Sequence, residues 1–368
     1  MANPFKPTAG ATPPLLVGRQ AVLAEFSESL DDGPGAPGLL TLMTGARGVG
    51  KTVMLTELGD VARTAGWVVV DDTARPGLME RLQHQVRTWA DEADPPRGRL
   101  TSASVTTALV GGSMSRDLPP RDDEAWRTTV GRLLDALPSG QGLLLTVDEV
   151  HAVAHEDLTA LAAEVQHLIR EDRPIALAMA GLPTAVDDLL NKDVATFLRR
   201  AERVMLGEVS LPEVADALRT TMLENGRTID DSALASCADA TGGYPFMIQL
   251  VGYHVWRRAS GDVISEADVA DGVAAARVRL GNLVHGPALN DLSDVDRTFL
   301  VHMAQDDGPS RISDIAQRMS RGPQYVGVYR DRLLAAGMIR SVRRGVVDLD
   351  PPYLREYLRE HATHLLHG

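Results

Sequence analysis

The chain has 368 residues, 44% of them hydrophobic, with 37 Lys and Arg against 50 Asp and Glu and a formal net charge of −13. Such a length accommodates two or three domains with cores of their own, and the acidic total excludes a protein that coats nucleic acid through bulk charge. The single cysteine, Cys237, excludes an intramolecular disulfide and fits core packing in a reducing cytoplasm; no apolar run approaches the roughly 20 residues that span a bilayer, so no membrane partner is expected.

Residues 1–14 are rich in Pro, Thr and Ala and read as a flexible arm. A first unit, 15–210, opens on Val17-Gly18-Arg19-Gln20, an amphipathic helix over 21–30 and a Pro/Gly-rich loop over 31–38. The apolar strand Leu39-Leu40-Thr41-Leu42-Met43-Thr44 then runs into Gly45-Ala46-Arg47-Gly48-Val49-Gly50-Lys51-Thr52, a complete G-x-x-x-x-G-K-[ST] phosphate-binding loop. Its three glycines let backbone N–H groups approach phosphates closely. A helix beginning at Lys51 adds its N-terminal partial charge, the Lys51 ammonium reaches the β and γ phosphates from a solvent-facing position, and the Thr52 hydroxyl ligates Mg²⁺. ATP, or ADP after turnover, and Mg²⁺ are therefore the expected ligands.

A strand over 67–71 and a helix over 77–89 follow, the latter with Leu78, Leu82 and Val86 on one face. The segment 91–121 has two readings, a β-hairpin around Gly111-Gly112 or a loop. After a helix over 123–137 comes Leu143-Leu144-Leu145-Thr146-Val147-Asp148-Glu149, an apolar strand ending in two carboxylates. This is the Walker B arrangement: Asp148 holds Mg²⁺ and Glu149 polarises the attacking water. His151 is either a loop histidine or a phosphate sensor. A helix over 156–171, a strand over 174–180 and a last segment over 197–206 complete an α/β pattern, a parallel sheet with helices on both faces.

From 211 to 288 the pattern becomes helical only, with helices over 212–223, 230–240, 245–259 and 265–283, and reads as a separate subdomain capped at several starts by Ser or Asp. The order of the Val-Gly-Arg box, phosphate loop, Asp-Glu pair, strand ending in Ala-Gly-Leu-Pro, paired arginines and helical lid resembles the AAA+/STAND division of P-loop ATPases, nearest to archaeal-type and initiator-like members, over residues 15–350. The resemblance implies that Arg19 contacts nucleotide, that Pro245 of Gly243-Tyr244-Pro245 packs near the base, and that Arg199 or Arg200 serves as an arginine finger in a nucleotide-dependent homo-oligomer. Ordinary surface arginines are the alternative for that pair. The lid lacks the sensor arginine of many AAA+ ATPases, which favours a slow switch over a fast motor.

Residues 289–368 resemble a winged helix-turn-helix, with helices over 312–319 and 324–336, a stop at Gly337, and strands over 338–342 and 346–349 flanking Arg343-Arg344-Gly345. Between 311 and 344 eight arginines stand against Asp314 and Asp331, a local charge of +6. If the unit docks on DNA, Arg321, Gln324, Tyr325 and Arg332 face the major groove and Arg343 and Arg344 the phosphates or minor groove. Three functions follow as expectations: an ATP-dependent switch that assembles and contacts DNA, an initiator-like or transposition-helper ATPase, and a STAND sensor with a protein partner and no DNA contact.

Overall fold

The computed structural model describes residues 2–8, 17–93, 125–152, 155–191 and 193–367. Helix α1 (Gln20–Asp32) precedes strand β1 (Leu40–Thr44), the phosphate loop and α2 (Lys51–Thr64). Next come β2 (Val68–Thr73), α3 (Leu78–Ala93), α4 (Trp126–Ala136), β3 (Leu143–Asp148), α5 (His155–Arg170), β4 (Ile175–Gly181), α6 (Pro183–Asn191) and β5 (Glu202–Met205). The two readings of 91–121 fall almost wholly outside the described residues.

The strands form one parallel sheet in the order β2-β3-β4-β1-β5. Because successive side chains point to opposite faces, β4 sends Ile175, Leu177 and Met179 to one apolar layer and Ala176, Ala178 and Ala180 to the other. Burial on both faces explains why β1, β3 and β4 read as continuous apolar runs rather than alternating ones. Each large side chain withdrawn from water there contributes about 2 kcal/mol.

Beyond the sheet lie α7 (Leu211–Glu224), β6 (Thr228–Ile229), α8 (Asp231–Asp239), α9 (Pro245–Arg258), β7 (Val263–Ile264), α10 (Glu266–Leu280) and, past a π-helical turn at Gly281–His285, α11 (Gly286–Asn290). Two expectations change here. The region is not helical only, since β6 and β7 pair in parallel. Nor is its interior separate: Val214, Leu218, Met247 and Val251 join Leu58, Met43 and Ala178 in one continuous cluster. Ser210 and Ser265 cap α7 and α10, the latter with a full capping box, whereas the Asp230 side chain makes no cap bond to α8.

The N-terminal arm is also corrected in part. Within residues 2–8, Phe5 is buried against α9, where Gly252 leaves room for its ring, and the Asn3 amide donates to the Tyr253 carbonyl. Pro, Thr and Ala content misled the reading because one aromatic side chain is enough to fasten such a segment.

The chain ends in α12 (Asp294–Met303), β8 (Ser310–Arg311), α13 (Ile312–Arg318), α14 (Pro323–Ala335), β9 (Ile339–Arg343), β10 (Val346–Leu349) and α15 (Leu354–His367). A three-stranded sheet in the order β8-β10-β9 packs with these helices around Phe299, Leu300, Ile315, Val326, Leu333 and Leu358, a core of its own.

Candidate nucleotide site

The phosphate loop leaves the carboxyl end of β1 and enters α2 at Lys51. Gly45 is required by crowding, because a Cβ there would sit 2.4 Å from the Leu206 carbonyl oxygen. Gly48 has φ +79 and a Cβ would lie 1.8 Å from the Tyr244 hydroxyl, so both its backbone and its empty side demand glycine. Lys51 is 7% exposed rather than solvent-facing, and its Nζ donates to the Gly45 and Ala46 carbonyls at 2.8 Å each. Burial lowers its pKa, while Glu149 and Asp148 act in the opposite direction.

The two sequence motifs meet directly. The Thr52 hydroxyl donates to Asp148 Oδ2 at 2.5 Å, and Asp148 Oδ1 accepts the Glu149 N–H at 2.8 Å. β4 lies between β1 and β3 in the sheet, yet the loop after β1 reaches across to the end of β3. A hydroxyl beside a carboxylate is a hard-oxygen donor pair that suits Mg²⁺, which binds through one or two protein ligands plus phosphate and water.

Glu149 holds a left-handed backbone, φ +55, a conformation that costs a side-chain-bearing residue about 1 kcal/mol or more. Its Oε2 lies 3.0 Å from His151 Nε2. Burial lowers the pKa of His151 and the Glu149 charge raises it, which suits a neutral ring donating from Nε2. His151 is thus in contact with the expected water-polarising carboxylate, a pairing that adjacency in sequence alone did not decide.

Arg19 Nη2 donates to the Gly207 carbonyl at 2.6 Å, and Gly207 adjoins the Leu206 carbonyl that crowds Gly45, so Arg19 lies at the loop's rim. Pro245 occupies the first turn of α9. The residue before it was missed: Tyr244, 3% exposed, donates its hydroxyl to the Arg47 carbonyl at 2.6 Å. The only available signal was its place between a glycine pair and a proline. Arg47, Val49 and Ala46 complete the loop, with Val49 buried and Arg47 exposed. Arg199 and Arg200 stand exposed before β5, with Arg199 Nε donating to the Leu190 carbonyl at 2.8 Å, and neither contacts this site.

In the C-terminal unit the arginines divide. Arg332 pairs with the buried Asp296 at 2.7 Å, Arg318 with Asp306, Arg330 with Asp331, and Arg340 with Asp348 at 3.5 Å. Three of those four acids lie outside the 311–344 window, so the local +6 overstates the free positive charge; Arg332, half exposed, is already paired within the unit. Arg343 and Arg344 are exposed with no ion pair to a described residue. Arg321 lies over the Tyr325 ring, 5.3 Å from its centroid, and Gln324 is exposed beside it.

Residues 15–177 match the family described as AAA ATPase domain, and residues 282–358 match a domain of unknown function, DUF8462. The sequence has no match among the curated proteins. The fold is similar to that of the Walker-type ATPase PABY2304 of Pyrococcus abyssi, with 15% identity, a TM-score of 0.68, and 94% of this chain and 96% of that one covered. It is also similar to the ORC2 protein of Aeropyrum pernix, solved as ADPNP and ADP complexes, with 14% identity, a TM-score of 0.62 and 98% of each chain covered. The AAA ATPase match thus falls on residues 15–177, where a phosphate loop and an Asp-Glu strand end are held in contact, and the chain as a whole has the P-loop ATPase fold of these solved structures.

Proposed function

We propose that the protein is a nucleotide-dependent switch that binds MgATP and hydrolyses it slowly, with an ATPase core over 15–210, a lid over 211–288 and a winged-helix unit over 289–368. The observation that carries this reading is the Thr52 to Asp148 bond, which joins the two halves of the site at the carboxyl edge of the sheet. Backbone N–H groups from Gly45 to Thr52 and the Lys51 ammonium hold the phosphates. Glu149 orients the attacking water once His151 releases it. Bound Mg²⁺, held by Thr52 and Asp148, supplies neutralisation of phosphate charge. Arg19 secures the rim and Pro245 the base side, and Arg199 or Arg200 reaches a neighbouring copy's γ-phosphate when the protein assembles.

DNA is the proposed macromolecular partner, supported by Arg343 and Arg344 at the β9–β10 turn and by the Arg321, Gln324 and Tyr325 group. An initiator-like role is the form this takes if binding is sequence-specific. A protein partner is favoured by a different observation: Val328 on α14 and Val342 on β9 are exposed by 58% and 49%, apolar area with no use against phosphate.

Lys51→Ala tests the core of the reading. ATP affinity measured by calorimetry should fall about 100-fold, since a charged ligand to phosphate is lost. The apo protein's Tm should hold or rise, because a cation lowered in pKa by burial is removed. Unchanged affinity would take Lys51 out of the site.

A further inference from the structure

The helical region touches the phosphate loop through Tyr244. Its hydroxyl donates to the Arg47 carbonyl at 2.6 Å, and its ring fills the space beside Gly48, where a Cβ would collide with both hydroxyl and ring. The side chain is buried, and burial raises the phenol's pKa, so it stays protonated and acts as a donor. Tyr244 is itself held firmly. It ends the turn between α8 and α9, in which Gly242 and Gly243 have φ of +57 and +73. The fully buried Thr241 accepts the Gly243 N–H on its hydroxyl at 3.1 Å and donates that hydroxyl to the Ala238 carbonyl at 2.7 Å. The Gly243 carbonyl accepts the Val209 N–H at 2.7 Å, which pins the turn to the chain just after β5. A braced turn thus aims the phenol at one peptide unit of the loop.

That unit joins Arg47 to Gly48. The carbonyl bonded by Tyr244 and the Gly48 N–H therefore share one plane and, in a trans peptide, point in opposite directions. Fixing the carbonyl toward Tyr244 fixes the N–H away from it. Gly48 is exposed, and among the described residues nothing accepts its N–H. A hydrogen bond at the carbonyl also polarises the amide and strengthens its N–H as a donor.

With the loop read as the nucleotide site, we infer that Tyr244 is a positioning residue, which holds the Arg47-Gly48 peptide so that the Gly48 N–H donates to a phosphate oxygen of the bound nucleotide. A peptide beside glycine turns easily, because no Cβ restricts it. Turned one way it offers an anion its N–H, and turned the other way its carbonyl oxygen, which repels the anion. The phenol removes that choice before the nucleotide arrives. The orientation secured in this way is equivalent to one ordinary hydrogen bond, about fivefold in affinity.

The experiment combines calorimetry with nuclear magnetic resonance on the full chain. Labelling arginine carbonyls with ¹³C and glycine amides with ¹⁵N selects the Arg-Gly peptides, of which the chain has four, and Arg47→Lys identifies the Gly48 signal by removing it. MgADP should move the wild-type Gly48 amide proton downfield, as donation to phosphate requires. Tyr244→Phe keeps the ring and removes only the hydroxyl, so ADP affinity should fall about fivefold and the downfield shift should shrink. A Gly48 amide that stays in place while calorimetry shows ADP bound overturns the inference with no variant needed. A Phe variant that lowers Tm but keeps the wild-type affinity and amide shift overturns it too, because the bond is then packing alone. A wild-type protein that binds no nucleotide overturns the nucleotide-site reading and this inference with it.

Discussion

The carboxyl edge of the main sheet and the C-terminal unit both concentrate charge, and they treat it in opposite ways. At the sheet edge Lys51 is bonded to carbonyls, Asp148 to a hydroxyl and a backbone N–H, and Glu149 to His151, so among the described residues each is held in place without a Lys or Arg ion-pair partner. In the C-terminal unit Arg318, Arg330, Arg332 and Arg340 are each matched by an aspartate. Charge kept from neutralisation at the cost of burial is the mark of a site awaiting a ligand, whereas matched charge mainly fixes geometry.

The sharpest way to break that contrast is at Glu149. Glu149→Gln keeps the size and the contact with His151 but cannot act as a base, so single-turnover hydrolysis should slow about 1000-fold with ATP still bound. Undiminished hydrolysis would move Glu149 to the structural side of the comparison.

His285 belongs to neither class, being neutral through burial where the π-helical turn meets α15. Its pKa is pushed down to about 4, although a hydrogen bond to the Pro352 carbonyl raises it. The unfolded chain takes up this proton near pH 6.5 and the folded one near 4. Stability is therefore complete above pH 6.5 and declines as pH falls from 6.5 to 4, by about 3 kcal/mol from this group. Chemical denaturation across that range should show His285→Asn with the shallower slope; parallel curves would assign the acid sensitivity elsewhere.

Among the matched charges, Arg332→Ala strands Asp296, which is 1% exposed, on its serine cap. The expected cost is about 2 kcal/mol of stability, discounted from the fully buried case because Arg332 is half exposed. DNA affinity should hold if wild type binds DNA. Arg343→Ala with Arg344→Ala should do the reverse: Tm unchanged, and the slope of log K against log salt shallower by about 1.8 if both neutralise phosphate. A common effect of both substitutions on stability would erase the division between matched and free arginines.

How far each region could be read beforehand follows from the same contrast. The phosphate loop is legible because its glycines, Lys51 and Thr52 fall in one pattern of eight consecutive residues, although the Leu206, Tyr244 and Asp148 groups they meet lie far along the chain. The sheet is legible because strands buried on both faces need unbroken apolar runs. Arg332 is not, since its partner lies 36 positions away in α12, and counting charge in a window cannot see an acid outside it. Tyr244 reaches Arg47 across 197 positions. The pairing of β6 with β7 escaped because two-residue strands carry too little pattern to register.

The apolar cluster that runs unbroken from the α2 face of the sheet through α7 and α9 governs how the molecule can move. Swinging the helical region away as a rigid body would expose both halves of that cluster to water, at a cost far above thermal energy. Nucleotide exchange should therefore proceed by a sliding shear of packed helices. The C-terminal unit has an interior of its own and meets the rest at Gly337, Tyr353 and the π-helical turn, so it is the part expected to move as a whole. Amide exchange would register this as a shared protection pattern for sheet and helical region and a separate one for the residues after α11.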